Sequence, residues 1–135
     1  MKLLQRYYDE MWNAWNFHLA DQLLSDDFRF RGSFAVEVRG VDAFKDYMRL
    51  VHSAFPDFHN KIEHTLSSPG QVVAQLTYTG THKGSFLGIP ATGRRVTYPG
   101  IAIFERKGSR FSKGYVVGDR LLLMEAILGQ EFWRG

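Results

Sequence analysis

Cysteine is absent from the 135 residues of this sequence. That absence excludes disulfide bonds, zinc-thiolate sites, iron-sulfur clusters and a cysteine nucleophile. Long hydrophobic runs are missing as well, since none approaches the roughly 18 residues that span a membrane. The first twelve residues, MKLLQRYYDEMW, reach Arg, Asp and Glu too early for a signal peptide. We therefore expect a cytoplasmic protein without a membrane partner.

An excess of one charge is also missing, because 17 Lys and Arg stand against 14 Asp and Glu. A net charge of +3 is too small to indicate a nucleic-acid partner by itself. The one dense basic run, ERKGSRFSKG at residues 105–114, is typical of a solvated hairpin. Four histidines lack the helical spacing or nearby carboxylates of a metal site, so we predict no metal; they are His18, His52, His59 and His64.

Aromatic residues, in contrast, are abundant, with eleven Phe, six Tyr and three Trp. A chain of this length forms one domain with a proper core, so we treat residues 1–135 as a single domain. Such an aromatic share predicts either a thick core or an aromatic-lined pocket for a small molecule.

Three helices are predicted from spacing and end signals. Apolar residues recur at three- and four-residue steps through about residue 25, with a joint at WNAWN where Asn16 is suited to cap a second short helix. A longer helix starts near Asp42 and ends before Pro56. The final helix, RLLLMEAIL, ends at Gly129, which suits a left-handed cap.

From residue 59 the apolar period changes to two, which predicts a meander of antiparallel strands. Ile62, His64 and Leu66 are expected on one strand face, and Pro99 with Gly100 at a bulge. In QVVAQLTYTGTH, Val72, Ala74, Leu76 and Tyr78 alternate with more polar residues, which predicts a half-buried strand. Helices followed by such strands predict an α+β fold, with the helices covering one face of a curved sheet.

The glycine-rich segment GTHKGSFLGIPATGRR at residues 80–95 invites comparison with a phosphate-binding loop. It lacks the Lys-Ser/Thr pair of that loop, and a strand rather than a helix follows it. We therefore interpret it as a turn-rich connection between strands. Its apolar residues Phe86, Leu87 and Ile89 are suited to cover a pocket or a dimer partner.

Two residues are candidates for chemistry, each with a structural alternative. Asp119 alternates with Tyr115 and Val117, so on a concave face it becomes a desolvated general base. The alternative is a cap on the final helix. His82 follows Tyr78 at an even step and is suited to donate a proton, or else it is fixed by hydrogen bonds of the turn.

Four segments, in this order and spacing, give the sequence a family resemblance: WNAWNFHLADQLLSDDF, AFPDFHNKIE, GTHKGSFLGIPATGR and GYVVGDRLLLMEAILG. Over residues 7–129 it resembles the SnoaL-like polyketide cyclases, also called ester cyclases. The resemblance implies a nuclear transport factor 2-like fold, in which a cone-shaped, strongly curved antiparallel sheet and N-terminal helices close a central pocket. It also implies a homodimer.

The resemblance further implies an enzyme that closes a ring by intramolecular aldol condensation, or performs related lyase or isomerase chemistry, without a cofactor. Asp119 matches the aspartate that acts as general acid/base in the family, and His82 is the expected nearby donor. The expected substrate is a small, hydrophobic, carbonyl-bearing molecule of the polycyclic type, held between aromatic walls. The candidates for those walls are Trp12, Trp15, Phe30, Tyr47, Phe55, Tyr78, Tyr98 and Tyr115.

The sequence departs from the family ahead of the aspartate, where Lys113 and Tyr115 stand in place of a frequent Glu and Trp. Because this fold hosts many functions, two alternatives stay open. One is a non-catalytic protein that binds a small hydrophobic ligand. The other is an epoxide hydrolase-like enzyme, for which the sequence offers no convincing Asp-Arg-Asp set.

Overall fold

The computed structural model describes residues 1–34 and 36–131. Its helical elements precede the first strand, separate the second strand from the third and follow the last strand. Helix α1 spans Lys2–Gln5 and continues as a π-helix over Arg6–Asn13; a 3₁₀ turn at Phe17–Leu19, α2 at Ala20–Leu23, α3 at Val41–Ala54 and α4 at Arg120–Leu128 follow.

Within the described residues, six strands form one curved, unclosed sheet. They are β1 (Leu24–Arg31), β2 (Glu37–Arg39), β3 (His59–Ser68), β4 (Gln71–Thr81), β5 (Arg95–Lys107) and β6 (Arg110–Gly118), in the order β2-β1-β6-β5-β4-β3. All neighbours are antiparallel except β1 and β6, which run parallel. The predicted α+β class is confirmed, with this one parallel pair as an addition.

The N-terminal helix ends where the sequence predicts a joint, but its form differs. It is π-helical from Arg6 to Asn13, where i to i+5 pairing places Tyr7 and Trp12 one turn apart. Asn16 stands at the N-cap of the next turn without a side-chain cap bond; its carbonyl accepts from Leu19 N at 3.1 Å instead. Helical structure stops at residue 23, slightly earlier than predicted.

Alternation along the central strands places the core. On β4 the residues Val72, Leu76 and Tyr78 are buried, as their spacing predicts. On β3 the predicted shared face is wrong, because the pairing shifts between Ile62 and His64. Ile62 therefore keeps the half-buried side and packs against the core, while the residues beyond the shift face solvent.

The predicted bulge at Pro99 and Gly100 is also wrong. Pairing with β4 runs through both residues without a break, and the irregularity lies between Glu105 and Arg106. A glycine is needed at position 100 for packing, since a Cβ there would lie 2.4 Å from Cε2 of Tyr78. The glycine at position 100 therefore marks a close contact with an aromatic ring and not a bulge.

Both predicted ends of α4 are confirmed. Asp119 Oδ1 accepts a hydrogen bond from Leu122 N at 3.0 Å, and Gly129 adopts a left-handed φ of 66°. Within the described part of the chain, none of the helices combines the length and the apolar character needed to cross a membrane.

Candidate functional site

A cavity of about 130 Å³ lies between the helices and the inner face of the sheet. The N-terminal helix contributes Tyr7, Tyr8 and Trp12 to its wall, and α3 contributes Tyr47, Leu50 and Val51. The sheet side is formed chiefly by Phe30, Asn60, Tyr78, Tyr98 and Val116. The exposed lining residues Val36, Leu50 and Leu87 mark the mouth of the cavity, beside the half-buried Phe34 and Phe86. None of the described lining residues is Asp, Glu, Lys, Arg or His. The cavity is therefore apolar apart from hydroxyl and amide groups.

Three tyrosine rings of this wall rest on glycine backbone. Tyr78 lies against Gly100, as described above; Tyr98 lies against Gly118, where a Cβ would stand 3.1 Å from Cε2, and the Tyr47 hydroxyl would lie 2.9 Å from a Cβ on Gly32. A larger residue at position 100 would displace the Tyr78 ring, whereas one at position 118 would first meet Ser33 Oγ, at 2.8 Å. The wall is thus built from aromatic side chains held in place by the chain beneath them.

Burial determines the protonation of these tyrosines. Loss of solvent raises the pKa of Tyr47 to about 12, and it raises the pKa of Tyr7, Tyr8, Tyr78 and Tyr98 further above their ordinary value. All five phenols therefore keep their protons to a higher pH than an exposed tyrosine does, and each hydroxyl has a proton to donate. The Tyr78 hydroxyl is buried and has no hydrogen-bond partner among the described residues.

An asparagine pair fixes the N-terminal helix over the cavity. Asn13 Nδ2 donates to the carbonyl of Asn60 at 2.8 Å, and Asn13 Oδ1 accepts from Asn60 N at 2.8 Å and from Asn60 Nδ2 at 3.1 Å. Asn60 is buried and lines the cavity. This pairing sets how close the aromatic side chains of the helix come to the sheet.

Asp119 does not lie in the cavity. It alternates with Tyr115 and Val117 as predicted, but these two are exposed while Val116 between them is buried. The three residues thus share the outer face of the sheet, so the expectation of a concave, desolvated position is wrong. The carboxylate of Asp119 is exposed and caps α4 through Leu122.

His82 is fully buried yet is not among the cavity-lining residues. Its Nδ1 lies 2.9 Å from Thr92 Oγ1 and accepts a bond from Thr92 N at 3.3 Å. Accepting at Nδ1 places the proton of a neutral ring on Nε2, which is buried without a partner among the described residues. In this structure the residue fixes a turn, which is the structural alternative.

Comparison with known proteins supplies the family. The sequence profile of SnoaL-like polyketide cyclases matches residues 2–127. The chain belongs to this family. No curated protein gives a significant match.

Solved structures agree with this membership in fold. A provisionally named SnoaL-like polyketide cyclase from Jannaschia sp. CCS1 is 24% identical, with a TM-score of 0.87 over 93% of this chain and 89% of that one. TsrD from Streptomyces laurentii is 26% identical, with a TM-score of 0.82 over 93% and 92%. A provisionally named polyketide cyclase from Acidithiobacillus ferrooxidans is 21% identical, with a TM-score of 0.82 over 95% and 93%.

Among the wall residues predicted from the sequence, six line the cavity of this SnoaL-like protein: Trp12, Phe30, Tyr47, Phe55, Tyr78 and Tyr98. The expectation for Trp15 and Tyr115 is wrong. Trp15, with a φ of 54°, stacks on His52 at a ring distance of 3.8 Å. Tyr115 is 40% exposed on the outer face, and its hydroxyl accepts a bond from Arg31 Nη1 at 2.9 Å.

Several residues that line the cavity were not predicted, because their sequence pattern does not place them on its wall. Tyr7 and Tyr8 belong to the apolar pattern of the first helix, but an α-helical period does not place both on one wall. Phe58 follows Pro56 in an irregular stretch and stacks on Tyr78 at 5.8 Å. Phe34 lies in a loop without any period.

In the described part of this SnoaL-like chain, no group of three or more His, Asp or Glu side chains is placed to hold a metal.

Proposed function

We propose that the protein is a cofactor-independent, cyclase-like enzyme that acts on a small, hydrophobic, carbonyl-bearing molecule held in the cavity. The chemistry is intramolecular aldol ring closure or a related lyase or isomerase reaction. The observation that carries the proposal is that Tyr78 lines a cavity without charged side chains among the described residues, and that its buried hydroxyl has no hydrogen-bond partner among them. A buried donor of this kind fits a ligand that brings its own acceptor.

The phenols suit the binding of a carbonyl oxygen that gains negative charge. Tyr78 and Tyr98 stand side by side, with ring centroids 5.0 Å apart. A phenol is neutral near pH 7, and burial raises the pKa of both further, so each hydroxyl has a proton to donate to the carbonyl of the ligand and to the enolate oxygen formed from it. Because the surroundings are apolar, each such bond is worth more than in water.

The base that removes the proton has two possible sources in this proposal. In the first, Asp119 acts as the family resemblance implies, and its carboxylate must leave the cap on α4 and turn toward the cavity. In the second, the protein supplies only donors and shape, and solvent takes the proton from an already acidic carbon between two carbonyl groups. The exposed cap position of Asp119 favours the second version.

Two single substitutions separate these versions. Tyr78→Phe removes one donor and leaves the ring, so we expect turnover of an anthraquinone-type ester to fall about 100-fold. Asp119→Asn keeps the cap but cannot accept a proton. Turnover is followed by absorbance of the cyclised product at saturating ester.

An unchanged rate in Asp119→Asn would exclude Asp119 as the base and support the second version, in which solvent takes the proton. A loss in Asp119→Asn with an intact Tyr78→Phe enzyme would reverse the assignment. An unchanged rate in both variants would contradict the proposal as a whole.

A non-catalytic binding protein is the second candidate. The observation in its favour is that no carboxylate, histidine or lysine occurs among the described cavity-lining residues. In that case the ester binds to the wild-type protein and is released without reaction. Tyr78→Phe then changes the dissociation constant alone.

We also propose that the outer face of the sheet pairs with a second copy of the chain. Ile101 lies opposite Val117 and Ile103 opposite Tyr115, and all four side chains are exposed. Such a contiguous apolar surface is typical of an interface. Sedimentation equilibrium of Val117→Lys should show a monomer where the wild-type protein is dimeric, and a monomeric wild-type protein would contradict the pairing.

A further inference from the structure

The segment 82–94, which we call the strap, connects β4 to β5 and contributes Phe86 and Leu87 to the lining of the cavity near its mouth. Its base is tightly fixed. His82 N donates to Arg94 O at 2.9 Å and Gly93 N donates to His82 O at 2.8 Å, while Lys83 N and Gly84 N both donate to the carbonyl of Ala54 at the end of α3. The position of the tip is therefore set by the fold.

The tip of the strap is a two-residue turn between Phe86 and Ile89. Phe86 N donates to Ile89 O at 3.0 Å and Ile89 N donates to Phe86 O at 2.8 Å. The two residues between them both have positive φ, 51° at Leu87 and 77° at Gly88. Positive φ at both positions is the requirement of a type I′ turn, for which Asn-Gly is the favoured pair. A leucine at the first position is strained.

This strain is not offset by burial of the side chain. Leu87 is 58% exposed, although it lines the mouth of the cavity. Its neighbour Phe86 has the packing role, with ring centroids 5.3 Å from both Phe34 and Phe55. A strained residue whose exposed apolar side chain adds little to the core is a candidate for a contact made only with a ligand.

The size of the cavity indicates where such a contact forms. Its volume of about 130 Å³ is below the roughly 300 Å³ at which drug-sized ligand sites begin. A molecule with several rings therefore fills the interior and extends past the mouth. Leu87 is the exposed apolar side chain at that point of the strap.

We propose that Leu87 is a specificity-determining residue whose side chain covers the apolar end of the bound molecule. This rests on the proposed function, because it takes the cavity to be the ligand site. The strained turn holds the side chain in place before binding, so little conformational freedom is lost when the ligand arrives. Ligands that end at the mouth gain nothing from it, and ligands that reach past it gain affinity.

The test uses two substitutions and one defined probe, methyl anthraquinone-2-carboxylate, whose binding is followed by quenching of tryptophan fluorescence. Leu87→Asn relieves the turn and removes the apolar contact. We expect its melting temperature to rise by about 2–5 °C and the dissociation constant to rise about fivefold. Leu87→Met keeps both features, so its melting temperature and affinity should match the wild-type protein.

The expected signature is a higher melting temperature together with weaker binding, because relief of strain at a residue without a ligand contact would raise the melting temperature and leave binding unchanged. A Leu87→Asn protein that is more stable and binds the probe as well as the wild type overturns the inference. So does one that loses stability and affinity together.

Tyr78→Phe separates this failure from that of the proposed function. If Tyr78→Phe weakens probe binding and Leu87→Asn does not, only the role of Leu87 is lost. If the wild-type protein does not bind the probe, the proposed function fails and the inference fails with it.

Discussion

The inner and outer faces of the β5–β6 hairpin are built from alternate residues of the same two strands, yet they differ in almost every property. Inside, Tyr98 and Phe104 are buried. Outside, Ile103 and Tyr115 are between a third and a half exposed. A tyrosine inside is a neutral donor against a glycine, whereas Tyr115 outside bonds to Arg31. The face, more than the residue type, decides which chemistry a side chain can perform.

This difference explains the position of Asp119. It follows the outer residues Tyr115 and Val117 in the same alternation, so its carboxylate emerges on the exposed side and caps a helix. The side chains that contact a ligand in the cavity come from the alternate residues of the strands, which face inward. Candidate chemistry in this protein therefore begins with the inner tyrosines.

The largest expected contrast between the faces appears at high pH. The inner tyrosines have a raised pKa, to about 12 for Tyr47, against 10.0 in an unfolded chain. Below pH 10 both states keep the protons and stability is unaffected. Above pH 10 the unfolded chain releases protons that the folded protein retains, so stability falls by about 1.4 kcal/mol per pH unit for each such tyrosine. Urea unfolding at pH 8, 10 and 11 measures this.

The matched control is Tyr47→Phe, which removes one titrating group from the folded wall. Its stability should fall less steeply above pH 10 than that of the wild-type protein. Equal stability of the wild-type protein at pH 8 and pH 11 would mean that the inner phenols are not desolvated.

Adjacent residues on β5 give the next contrast. Phe104 is fully buried and packs on Tyr7 and Phe111, with ring centroids 4.9 and 4.6 Å away. Phe104→Ala should cost about 3–5 kcal/mol of unfolding free energy, because it leaves a void in a packed core. Glu105→Ala, which truncates an exposed outer-face residue next to Phe104, should cost less than about 1 kcal/mol. Urea denaturation of both variants at pH 7 provides the comparison, and equal losses would contradict the assignment of faces.

The smallest effect is expected at Asp119. Asp119→Ala removes the cap on α4 and should cost about 0.5–2 kcal/mol, whereas Asp119→Asn restores most of it. Thermal unfolding of the two variants at pH 7 checks this. If Asn destabilises as much as Ala, the charge of Asp119 contributes more than the cap bond.

Much of the fold was predictable because its signals are local. The strand alternation on β4, the helix that stops before Pro56 and the cap pair Asp119 and Gly129 all depend on neighbouring residues and are observed as predicted. The shift on β3 was not predictable, since it depends on pairing with β4 rather than on the sequence of either strand.

The aromatic character of the candidate site was predictable, but the sheet face on which each alternating residue lies was not. An even step relates Tyr115 to Asp119 and equally well relates residues of the inner face, and nothing local distinguishes the two. Tyr7, Tyr8 and Phe34 reach the wall through the π-helix and an irregular loop, whose geometry is set by tertiary packing. His82 was expected to be a donor near the ligand and instead bonds within a turn. The sequence could not separate these roles, because a buried polar residue in a turn has the same sequence pattern as a donor in a cavity.

The account depends most on a carbonyl of the ligand accepting a hydrogen bond from Tyr78 inside the cavity. Infrared difference spectroscopy of bound methyl anthraquinone-2-carboxylate tests this directly, because a hydrogen bond lowers the carbonyl stretching frequency. We predict a lowered frequency in the wild-type protein and in Tyr115→Phe on the outer face, and a return toward the value in apolar solvent in Tyr78→Phe. The same lowered frequency in Tyr78→Phe and the wild-type protein would contradict the account.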